Sequence, residues 1–188
     1  EQKAQQIQGR CEGGKSVGVA QREKNRRYDR QDVSTTAKKK GGGWVIDGEK
    51  FVVLNGESAE MLVVIARTKG SQRDHAGIGV FLVPGNAKGV VKKGYPTQDG
   101  LHAADITFTG VEVGADASIG DPENGLPLIE RVVDDARTAM FADALGALDA
   151  SLQTTVEYFI PRQLFGLPLG LFQTLPLRPP PPFFPVDD

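Results

Sequence analysis

Between residue 33 and about residue 118 the chain breaks into short apolar or alternating runs: "VSTTAKK", "GWVIDG", "KFVVLNG", "MLVVIARTK", "GIGVFLVPG", "GVVKKGYPT" and "ADITFTGVEVG". Asp-Gly, Asn-Gly and glycine clusters separate them. β-branched residues recur at the two-residue period of half-buried strands, so the pattern predicts seven strands. Seven strands with no helix between them imply an antiparallel sandwich or barrel. Asp47-Gly48 is expected to be a tight turn joining two strands, because glycine accepts the positive φ that such turns need. Ile106, Phe108, Val111 and Val113 change phase at Thr109-Gly110, which predicts a bulge or bend there. Lys38, Lys39 and Lys40 precede three glycines and read as a charged hairpin end.

After "GDPENG" the period becomes helical. Ile129, Val133, Ala136, Met140, Leu148, Leu152, Val156 and Phe159 follow steps of three, four or their multiples, and Pro127 is tolerated in a first helical turn. A helix over 126–160 would be about 50 Å long and would need other helices beside it. The fold class is therefore α+β: an antiparallel β-sandwich or barrel, then one long helix. Residues 1–27 are polar, of mixed charge and without a clear period, and read as a loose start. Residues 176–188 include Pro179–Pro182, which cannot continue a helix.

Composition narrows the function classes. A chain of 188 residues can bury a sizeable core, and a formal charge of -2 gives no global attraction to nucleic acid or anionic membrane. A single cysteine, Cys11, excludes an internal disulfide framework and makes structural zinc unexpected. The apolar run "MLVVIA" is far shorter than the ~20 residues that span a bilayer. The expectation is a soluble, cytoplasmic chain with no membrane span and no metal.

The candidate chemistry is concentrated in "PRQLFGLPLGLFQTL", residues 161–175. Its plain reading is a helix C-terminus whose Arg162 complements the dipole while its apolar residues pack. Together with "RYDRQDVSTTAKKKGGGWVIDGEKFVVLNG", "ARTKGSQRDHAGIGVFLV", "GYPTQDGLHAADITFTGVEV" and "GLPLIERVVDDAR", however, it resembles the acyl-CoA dehydrogenase family, most of all the small-subunit type of pimeloyl-CoA dehydrogenase. The likeness runs from about Tyr28 to Leu175.

The resemblance implies a middle β domain over 28–120 and the start of a C-terminal four-helix domain over 121–175; the proline-rich tail over 176–188 is read from its residues. It implies FAD as cofactor, a tetramer or other homo- or hetero-oligomer, and α,β-dehydrogenation of an acyl-CoA thioester, with electrons leaving to an electron-transferring flavoprotein. In the family, the positions matching Arg162, Phe165 and Gln173 reach the FAD of a neighbouring protomer. A guanidinium suits a pyrophosphate, an aromatic ring packs on adenosine, and an amide both donates and accepts. Gly166 is expected to end the helix and let the chain turn.

Departures from the family pattern are specific. Where a Trp-x-Thr strand usually meets the flavin ring, this chain has Val52-Val53-Leu54, so backbone contacts at Val52 and Leu54 survive while the indole and hydroxyl are lost. "EKNRRYD" replaces a glycine-rich loop that allows close approach to ligand. The family base is usually a Glu beyond the matching region; a minority carry it at the position of Ala136, which accepts no proton. No catalytic residue is assigned. Arg137 is placed near substrate by the resemblance, with Asp134, or else simply pairs with Asp134 or Asp135. The chain thus reads as a fragment of the enzyme, inactive alone, or as a non-catalytic scaffold subunit.

Other features read plainly. "REKNRRYDR" interleaves one aromatic among mixed charges and is a solvated face rather than a nucleic-acid patch. His75 is expected at the surface. His102 is a satisfied loop histidine or approaches the binding cleft. "RPPPPFFP" suits an aromatic groove, but the resembling family is helical there, so the tail, with residues 1–22, is expected to come from a frame shift or incomplete gene.

Overall fold

The computed structural model describes residues 16–24 and 29–169. Gln173 and the proline-rich tail lie outside the described residues. Strands β1 (Val17–Ala20), β2 (Thr36–Lys40), β3 (Gly43–Leu54), β4 (Met61–Arg67), β5 (Ile78–Pro84), β6 (Val90–Pro96) and β7 (His102–Gly114) form a single sheet. Its order is β1-β4-β2-β3-β7-β6, with β5 also paired to β4. Helix α1 (Leu126–Phe159) follows, and then a small hairpin of β8 (Gln163–Leu164) and β9 (Leu167–Pro168). The expected class therefore holds: a β domain built mainly from antiparallel pairs, then one long helix. The sheet is curled and mixed, since β1 and the first residue of β2 run parallel to β4.

Two expectations are corrected. Val17–Ala20, placed in a loose start, is a strand registered on Met61–Val64. Asp47-Gly48 is not a turn: both residues lie inside the twelve-residue β3. Gly48, at φ +145, is needed for close approach, because a Cβ there would lie 2.7 Å from the Cα of Thr35. The real turn between β2 and β3 is Gly41-Gly42, next to the lysines that mark the hairpin end. The bulge at Thr109-Gly110 is present: β7 carries one extra residue where its pairing steps from Val111↔Ile46 to Phe108↔Gly48.

Alternation builds the core of the β domain. Ile46, Val53, Leu62, Val64, Phe81, Val83, Ile106, Phe108 and Val111 turn inward and are buried. The rings of Trp44 and Phe81 stand 5.2 Å apart at 60°, a tilted geometry that favours aromatic pairs. The inward face also carries Lys50, wholly buried.

The chain divides into two compact units, one ending at Arg131 and the other beginning at Val132. Within the second unit α1 displays Met140, Phe141, Leu145, Leu148 and Val156 to solvent, the apolar surface expected of a helix that needs partners.

Candidate functional site

The first element of the site is the C-terminal end of β3. Val53 points inward and is 1% exposed, whereas Val52 and Leu54 are 40% and 56% exposed. The two residues singled out from the sequence therefore share the outer surface. Between Lys50↔Ile106 and Val53↔Ala104, β3 carries one residue more than β7, so Asp105 alone stands opposite Phe51 and Val52. Val52 takes φ +51, an outlier for a β-branched residue.

Three neighbours hold this irregular stretch. The Val52 N–H donates to Asp105 Oδ1 at 3.1 Å, and the Tyr95 hydroxyl donates to the same oxygen at 3.0 Å. The Phe51 N–H donates to the Arg22 carbonyl at 2.8 Å. Partial burial and the adjoining Asp105 carboxylate hold the Tyr95 phenol above its ordinary value of 10.0, which keeps it a donor.

Beneath this strand lies a buried ion pair. Lys50 Nζ donates to Glu23 Oε1 at 2.7 Å, and the same carboxylate accepts from the Ser34 N–H, the Ser34 hydroxyl and the Thr35 N–H. Burial alone would raise the Glu23 carboxyl; the Lys50 charge and the hydrogen bonds from Lys50 and Ser34 outweigh it and hold the group at about 2. Glu23, Tyr95 and Asp105 had not been singled out from the sequence. A signal for Glu23 existed: a lysine at an inward position of a β pattern requires a buried counter-charge.

In the second unit, Arg137 Nη1 lies 3.3 Å from Asp134 Oδ1, one helical step away, with both side chains exposed. α1 ends at Phe159, ahead of Pro161. Gly166 therefore does not end the helix: Phe165 and Gly166, at φ +53 and +77, form the two-residue turn between β8 and β9. Positive φ at both positions matches the twist of a hairpin. It leaves Phe165 94% exposed at the tip. Arg162 lies over the Tyr158 ring, 5.8 Å from its centroid, a cation–π distance, and its carbonyl accepts from the Leu169 N–H.

His75 is exposed, and His102 Nδ1 lies 3.5 Å from Glu57 Oε2, also at the surface. Among the described residues no group of three or more His, Cys, Asp or Glu could hold a metal ion, and no helix is long and apolar enough to cross a membrane. A depression of 400 Å³ includes Glu57, Met61, Asn86 and Lys92 in its walls. Lys92 Nζ there donates to the Ala59 carbonyl at 2.6 Å.

Comparison with known proteins gives concordant results. Residues 18–111 match the family model described as "Acyl-CoA dehydrogenase, middle domain". The chain is 31% identical over 181 residues to the mitochondrial short-chain specific acyl-CoA dehydrogenase of Rattus norvegicus, covering 95% of this chain and 44% of the relative. It is 31% identical over 167 residues to the mitochondrial long-chain specific enzyme of Sus scrofa, covering 86% and 39%. The chain thus spans less than half the length of these curated relatives. Butyryl-CoA dehydrogenase from Megasphaera elsdenii superposes with a TM-score of 0.82 at 28% identity, over 92% of this chain and 46% of that one.

Proposed function

Given that the chain belongs to the acyl-CoA dehydrogenase family, we propose that it serves FAD-dependent α,β-dehydrogenation of an acyl-CoA thioester, contributing a middle β domain and the start of a C-terminal helical domain. The observation that carries this reading is the family-model match over residues 18–111, the sheet that also carries the outward Val52 and Leu54.

The side chains fit a flavin nucleotide in kind. Val52 and Leu54 offer an exposed apolar surface for a planar ring. Phe165 offers an exposed aromatic surface and Arg162 a permanent cation. We assign Val52 and Leu54 to the flavin of their own protomer, and Arg162, Phe165 and Gln173 to the FAD of a neighbouring one, in a homo- or hetero-oligomer.

When bound, the flavin supplies the hydride acceptor. The part of this chain is to hold and orient the reactants and to exclude water. Arg137, tethered to Asp134, is assigned to the acyl-CoA side. The methyl group of Ala136 accepts no proton, so the α-proton is not assigned to any residue here. An electron-transferring flavoprotein is the proposed electron acceptor.

A second reading, a non-catalytic scaffold subunit of an oligomeric flavoprotein, is favoured by Ala136 and by the aliphatic Val52-Val53-Leu54. One experiment separates the two. Protein incubated with FAD and desalted should stay yellow, and the flavin absorbance should bleach on anaerobic addition of acyl-CoA. Colourless protein that still assembles supports the scaffold and defeats the enzyme reading.

A further inference from the structure

A bulge displaces one backbone N–H from the ladder, and that donor turns to a side chain or to water. In β3 that donor is the Val52 N–H, and the acceptor is a side chain, Asp105 Oδ1, at 3.1 Å. Asp105 is the single β7 residue opposite the two bulged residues, between Ala104 and Ile106, which are both buried in the core. Moved one position either way along β7, the carboxylate would point into the core. The Tyr95 hydroxyl, on β6 across the same outer face, donates to that oxygen at 3.0 Å and fixes its orientation.

The placement of a bulge decides which side chains face outward. Losing the extra residue would shift the register beyond it by one and exchange inward and outward positions there, putting Val53 on the surface in place of Leu54. Val52 has no intrinsic preference for φ +51, since a β-branched side chain disfavours the left-handed region. Something outside the residue must hold it, and the Asp105 hydrogen bond acts directly on its N–H.

We propose that Asp105, steadied by Tyr95, is a positioning residue: it latches the Val52 bulge and so sets the face of residues 52–54 that meets the flavin. This rests on the flavin reading above. The latch itself does not need the cofactor.

The test uses the full chain as wild type, D105A, D105N and Y95F. Backbone amide exchange is followed by NMR at Val52, with Ile46 and Val64 as core references, and FAD affinity is read from quenching of flavin fluorescence. In D105A, Val52 should exchange at least about tenfold faster while the references stay unchanged, the size expected on losing a hydrogen bond to a charged acceptor. FAD binding should weaken by about the same factor. D105N, which keeps an oxygen acceptor, should stay closer to wild type on both readouts, and Y95F should fall between D105N and D105A. Should D105A fail to fold, the D105N and Y95F comparison decides.

Unchanged exchange at Val52, or equal acceleration at Ile46 and Val64, overturns the latch. Faster exchange at Val52 with unaltered FAD affinity overturns its role toward the flavin. If the wild type takes up no FAD, the flavin reading fails and that role with it, whereas the exchange measurement still decides whether Asp105 holds the bulge.

Discussion

Glu23 Oε1 lies 2.7 Å from Lys50 Nζ, and the lysine side chain is wholly withdrawn from solvent. Each charge makes the burial of the other tolerable, and the glutamate's remaining acceptor capacity is taken up by Ser34 and Thr35. Removing one partner strands the other. E23Q should therefore lower unfolding stability by about 3–5 kcal/mol, measured by urea denaturation, whereas adding K50M to E23Q should recover part of the loss, because glutamine keeps an acceptor for Ser34 and Thr35 while the unpaired charge is removed.

The same pair sets an acid limit. Glu23 is held at about 2 against an ordinary 4.5, so the folded state binds its proton less readily than the unfolded chain. The contribution is fully present above about pH 4.5 and drains away as pH falls toward 2. Stability measured across that window should fall more steeply in wild type than in E23Q. Parallel slopes would remove Glu23 as the cause.

Two glycines near the β2–β3 hairpin should respond unequally to alanine. At Gly48 a methyl group would press on Thr35, at 2.7 Å from its Cα, and the residue sits at φ +145; at Gly42 nothing lies within 4 Å. G48A should cost at least about 2 kcal/mol, and G42A should stay within about 0.5 kcal/mol of wild type, both readable as shifts in thermal midpoint.

Arg67 offers a further test. Its guanidinium donates to the carbonyls of Gln31, Val33, Lys69, Gln72, Asp74 and Ala76. A lysine has three donors on one atom and cannot reproduce that fan. R67K should make the 68–77 loop a preferred site of limited proteolysis while the rest of the sheet stays resistant.

Phe165 is nearly all surface, so its removal should cost little stability. F165A should leave the thermal midpoint within about 1 °C yet lower the FAD retained after desalting. Retention equal to wild type would detach the hairpin tip from the nucleotide.

Much of this architecture was legible because alternation is a strong signal when one strand face is buried. Phe108 and Val111 reveal the Thr109-Gly110 bulge by breaking phase, and the lysines of β2 mark the hairpin end. Asp47-Gly48 misled because its composition suits a turn equally well; only the nearness of Thr35, distant in sequence, decides that glycine there serves close packing. Val17–Ala20 escaped notice because its pairing partner lies more than forty residues away on β4 and its own four residues carry too little pattern. The Val52 bulge was invisible for a related reason: its acceptor comes from another strand, and nothing in "KFVVLNG" records it.

Glu23 also acts as a clasp on its own chain. By gripping Ser34 and Thr35 it closes the intervening stretch into a ring whose two ends are pinned whatever lies between them. Lengthening a closed ring adds only a slowly growing entropic cost, so a short insertion after the exposed Lys24 should leave strand pairing undisturbed, whereas Gln31, Asp32 and Val33 are held in place by Arg67, Gln72 and Arg73. A tag or epitope inserted after Lys24 should therefore be borne with little penalty.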